Sequence, residues 1–135
     1  MIKAIYNGKN NVQLIKAAAP KAGDDDIVVK NIYSSICGTD VAVFKHGNNT
    51  GHKIELGQEF GHETISEVVE VGKNVIGINV GDIVYPYPLF AKNDTRRAGT
   101  IGGFSEYILI PSCILNKSVY KLNDGIKLKE ACLIE

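Results

Sequence analysis

Short runs rich in valine, isoleucine and threonine recur along this chain, and most of them are closed by a glycine or a proline. Runs of this kind read as β-strands and the punctuation reads as turns. Residues 2–6 and 12–17 form an expected hairpin turned at Asn7-Gly8, because Asn-Gly accepts the positive φ angles of tight turns. Further strands are expected at 27–36, 62–71, 83–87, 104–110 and 119–122. Pro86 and Pro88 stop the strand before them, and Pro111 closes the next one near a sheet edge. Residues 92–103 read as a polar, glycine-containing loop. Helical signal is sparse. Thr39 or Asp40 is expected to cap a short helix through Phe44 that ends at Gly47. Residues 127–135 are mostly good helix formers without a stop signal, which suggests a chain cut from a longer one. The expected fold class is mainly β, a small barrel or sandwich with a few short helices.

Composition narrows the function classes. A chain of 135 residues supports one domain, and at that size about two-thirds of the unfolded surface can be buried without disulfides. Fifteen basic and fifteen acidic side chains cancel, which removes the electrostatic case for nucleic acid as a partner. No apolar run approaches the roughly 20 residues of a membrane helix, and no secretory signal is visible. Neither GxxxxGK[ST] nor GxGxxG occurs, so no phosphate cradle is expected. The cysteines are Cys37, Cys113 and Cys132. Their odd number and wide spacing favour a reducing, cytoplasmic setting over a disulfide framework. With no CxxC present, a metal site would have to use mixed ligands.

Two stretches can carry such chemistry. Cys37-Gly38-Thr39-Asp40 follows one expected strand, and Gly61-His62-Glu63 opens another. Cysteine, histidine and glutamate are all zinc ligands, and a catalytic site keeps one position open for water or substrate. Taken singly, the cysteine is a small buried apolar residue and the His-Glu pair an ordinary polar pair.

The order of four stretches carries more weight. Gly61-His62-Glu63, followed by Ser66 and Gly72, resembles the zinc signature of the medium-chain alcohol dehydrogenases, with serine where the family has glycine. Cys37-Gly38-Thr39-Asp40 resembles the stretch with that family's catalytic zinc cysteine. Residues 80–84 and 102–107 resemble two further landmarks in the expected order. The resemblance covers nearly the whole chain. It implies a GroES-like catalytic domain over residues 1–135, a partly open β-barrel, with the Rossmann domain for NAD or NADP lying outside this chain. By matching position it implies Cys37 and His62 as zinc ligands. Glu63 would be a third ligand or a neighbour that exchanges with substrate, and Glu135 a further carboxylate. Asp40 would orient His62, and Thr39 would take the substrate proton. Ala42 stands where some members have a relay histidine.

No cysteine lies between Tyr85 and Gly103, so one catalytic zinc and no structural zinc are expected. The remaining cysteines would serve packing, and His46 and His52 would be solvated. The implied substrate is a small alcohol or polyol, nearest the polyol and threonine dehydrogenase branches. The full-length protein would be homo-oligomeric, and this domain would be inactive alone. A co-chaperonin or interaction module is the competing reading, but it gives Cys37, His62 and Glu63 no reason to converge. A zinc-free quinone reductase would lack those ligands.

Overall fold

The computed structural model describes residues 1–94, 100–123 and 125–133. Strands β1 (Ile2–Tyr6) and β2 (Val12–Lys16) pair antiparallel, with Tyr6 opposite Val12. The connection between them occupies residues 7–11, the stretch left between the expected strands, and begins with Asn7-Gly8. Gly8 and Asn10 both take positive φ, at 109° and 57°. The Asn7 amide donates to the Asn11 carbonyl (2.8 Å), and the Asn10 amide donates to the Phe44 carbonyl (2.8 Å). This turn thus docks the hairpin on the first helix.

A second sheet has five strands in the order β6-β3-β4-β5-β7, all pairs antiparallel. Its members are β3 (Ile27–Ser34), β4 (Thr64–Val71), β5 (Ile83–Pro86), β6 (Tyr107–Ile110) and β7 (Val119–Lys121). β-branched residues favour these elements because they pack well on a pleated surface. Two expected strands start later in the structure, β4 at Thr64 and β6 at Tyr107. Residues 104–106, just before β6, bond outside the larger sheet: the Phe104 amide donates to the Phe60 carbonyl, the Ser105 amide to the Gly102 carbonyl and the Glu106 amide to the Ile2 carbonyl. The pairing of β3 with β4 shifts register between Val28 and Val29 and again between Asn31 and Tyr33, and the segment between the two shifts sets Asn31 opposite Ser66.

The two sheets do not close into one barrel. Bridges at Lys3–Ser105 and Ile5–Glu59 fasten the hairpin to the loops beside the larger sheet. The main core joins Ile27, Val29, Val68, Val84, Ile108 and Val119. Burying each such side chain is worth about 1.5–3 kcal/mol. A second cluster of Ala4, Tyr6, Val43, Ile54 and Phe60 glues the hairpin to helix α1 (Gly38–His46). A third, with Ile65, Tyr85, Ala131 and Cys132, seats the short helix α2 (Leu128–Ala131). The helix expected over 127–135 is regular only across these four residues, and residues 134 and 135 lie outside the described ones. Among the described residues no helix is long and apolar enough to cross a membrane.

Candidate metal centre

The start of α1 builds half of the site. The expected cap was Thr39 or Asp40, but Cys37 takes that position, in extended conformation. Its sulfur accepts the Thr39 amide at 3.2 Å, and Asp40, at the third helical position, returns a carboxylate oxygen to the Cys37 amide at 3.0 Å. This reciprocal pair is a capping box with sulfur in place of the usual hydroxyl. Cys37 holds the cap because it is the extended residue just before the first helical turn, which places its side chain at the free amides of that turn. The positive end of the helix dipole is directed at that sulfur, which suits a ligand that carries negative charge on a metal.

The other half comes from the backbone before β4. Gly61 has φ 83° and lies against Phe104, so a Cβ there would come within 2.7 Å of its ring. Gly103 approaches so closely that a Cβ would sit 2.7 Å from the His62 amide nitrogen. The two glycines therefore let the 101–104 turn lie directly on the backbone that carries His62.

His62 is buried and held from both sides. Its Nδ1 is 3.0 Å from Asp40 Oδ1, and its Nε2 is 3.1 Å from Cys37 Sγ. A carboxylate only accepts, so Nδ1 carries the proton and donates it to Asp40. Nε2 is left with its lone pair toward Cys37. Sulfur, imidazole and carboxylate form one cluster whose candidate ligand atoms all lie within 4.8 Å of one another. Both Asp40 oxygens are already engaged, so Asp40 orients while Cys37 and His62 present the donors. The donor set, one thiol and one imidazole close enough to meet a single ion, fits zinc.

The remaining expected residues stand around this pair. Glu63 is buried beside the cluster but is not a member of it. Its carboxylate is hydrogen-bonded to the Ser35 hydroxyl, which also contacts the Cys132 carbonyl at 2.9 Å. Thr39 is half-buried, with its amide on Cys37 Sγ. Glu135 lies outside the described residues. Ser35 was not picked out from the sequence, although it stands two residues before Cys37. His46 is exposed and His52 half-buried, both away from the cluster's ligand set. Burial pushes the Cys113 thiol up to about 12, with the charge of Asp26 adding to it, and Cys113 packs in the main core.

Fold and site together define a β domain that presents a mixed thiol–imidazole pair at a helix start. The alcohol dehydrogenase GroES-like domain family matches residues 23–123. The L-threonine 3-dehydrogenase of Pyrococcus abyssi is 42% identical over 74% of this chain and 33% of its own length. That of Caldanaerobacter subterraneus subsp. tengcongensis is 33% identical over 76% of this chain and 34% of its own. In structure, the 2R,3R-butanediol dehydrogenase of Bacillus subtilis matches 99% of this chain and 44% of that one, with a TM-score of 0.77 at 22% identity, a likeness of fold. The chain belongs to the alcohol dehydrogenase GroES-like domain family. It spans only 33% and 34% of the length of the two curated relatives.

Proposed function

We propose that this chain is the zinc-binding catalytic domain of an NAD(P)-dependent alcohol or polyol dehydrogenase. The observation that carries the reading is His62, fixed at Nδ1 by Asp40 and presenting Nε2 to Cys37 Sγ at 3.1 Å. Cys37 and His62 would hold the ion. Glu63 would be a third ligand or an exchanging neighbour once it leaves Ser35, and Glu135 would supply a further carboxylate. Zinc, when bound by Cys37 and His62, would supply Lewis acidity toward an alcohol oxygen, and a nicotinamide cofactor would supply the hydride-accepting ring.

The chain's own residues do the positioning. Asp40 keeps the proton on Nδ1, so Nε2 stays a donor toward metal. The Thr39 hydroxyl accepts the substrate proton beside the site. One ion is proposed, since no cysteine between Tyr85 and Gly103 is available for a structural zinc. The substrate is a small secondary alcohol: L-threonine is favoured by the names of the relatives, and a polyol is the alternative. A homo-oligomeric, cytoplasmic full-length enzyme completes the proposal.

The test is turnover. The zinc-loaded full-length protein should reduce NAD⁺ or NADP⁺ with L-threonine or sorbitol, and a chelator or His62→Ala should abolish it. Zinc-loaded protein that oxidises no secondary alcohol or polyol would contradict the reading.

A further inference from the structure

We propose that Asn31 is a positioning residue for His62, acting through the 101–105 turn and matched to the serine at position 66. This rests on the zinc reading of Cys37 and His62. Asn31 is half-buried on β3, two residues after the fully buried Val29. The part of the amide that is withdrawn from water needs protein partners in its place. It finds them on both sides. Its Nδ2 contacts the carbonyls of Gly102 (3.3 Å), Gly103 (3.1 Å) and Ser105. Its Oδ1 accepts the hydroxyls of Ser66 (2.6 Å) and Thr64 (3.0 Å). The carbonyls can only accept, so the amide has one possible orientation.

The turn it grips is the one that lies on His62. The amides of residues 101–103 close on the Gly61 carbonyl, and the Gly103 backbone touches the His62 amide. The Ser34 hydroxyl adds a bond to the Gly103 carbonyl. Asn31 therefore holds the outer side of a turn whose inner side sets the His62 backbone. Ser66, where the family pattern has glycine, fixes the amide's oxygen end and keeps its nitrogen end on the turn.

The experiment uses Co²⁺ as probe and the intact protein, with Asn31→Leu and the milder Asn31→Ser. Loss of the clamp should weaken Co²⁺ binding by about 10-fold, the lower end for partners that orient metal ligands, and should alter the visible ligand-field bands. A merely structural residue would lower the melting temperature and leave the bands unchanged. The parent protein gives an independent readout by reciprocity: Zn²⁺ should slow hydrogen exchange of the Asn31 side-chain amide by a comparable factor. Folded variants that keep parental affinity and bands, or exchange that Zn²⁺ leaves unchanged, would overturn the proposal and leave the zinc reading intact. A parent that binds neither ion would overturn both.

Discussion

The Asp40 carboxylate ties His62 to Cys37: one oxygen holds His62 Nδ1 at 3.0 Å and the other holds the Cys37 amide at 3.0 Å. The two donors come from elements 25 residues apart in sequence, yet a single buried side chain sets their spacing. Helix capping and ligand orientation are thus one interaction. Disturbing the cap disturbs the site.

Asp40→Asn keeps the volume but can no longer accept from both partners. Its amide nitrogen must face one N–H, so either the cap is lost or His62 turns an unprotonated Nδ1 to it and carries its proton on Nε2, away from the tautomer a metal needs. Zinc affinity should fall by about 10- to 100-fold, measured by competition with a chromophoric chelator. Loss of the cap would add about 1 kcal/mol of destabilisation in urea titration. Unchanged affinity would show that His62 does not depend on Asp40.

Gly103→Ala places a methyl 2.7 Å from the His62 amide nitrogen and 2.9 Å from the Gly61 carbonyl carbon. Both are backbone atoms and cannot rotate away. The variant should lose about 1–3 kcal/mol of stability and bind zinc more weakly than the parent. Wild-type stability would mean that the 101–104 turn is free to move off His62.

Thr39→Val leaves the backbone amide on Cys37 Sγ, so metal content should stay at the parental level. If the hydroxyl carries the substrate proton, turnover of the full-length enzyme should drop by about 100-fold and Thr39→Ser should restore it. Loss of metal in Thr39→Val would instead mark the side chain as part of the cap.

Cys113 links stability to alkaline pH. Its thiol is raised from 9.0 to about 12 in the folded protein, chiefly by burial. Below pH 9 both states are protonated and the thiol has no pH effect. Above it the unfolded chain loses the proton while the folded chain keeps it, so stability falls as pH rises from 9 toward 12. Urea midpoints across that window should decline less steeply in Cys113→Ala. In the metal-free protein a thiol reagent should modify half-exposed Cys37 before buried Cys113.

Much of this arrangement was legible beforehand. The strands follow runs of β-branched residues, and the order of the Cys37, His62, Val80 and Gly102 stretches pointed to the family. What the sequence hid depends on register and on atoms that meet across it. The sulfur cap at Cys37 was missed because cysteine is not among the usual capping residues. The docking of the hairpin turn on α1 through the Asn10 amide and the Phe44 carbonyl depends on a partner from another element. Asn31 opposite Ser66 follows from two register shifts in the β3–β4 pairing that no local pattern announces. The motif marks Glu63 as a candidate ligand, but its bond to Ser35 needs the end of β3 and the start of β4 side by side.

The central claim is that Cys37 and His62 hold one zinc ion, and elemental analysis of purified protein tests it most directly. The parent should carry close to one zinc per chain, and Cys37→Ser and His62→Ala should each lose it while remaining folded by circular dichroism. A folded full-length parent that stays free of zinc after exposure to the metal, or single variants that keep it, would contradict the claim.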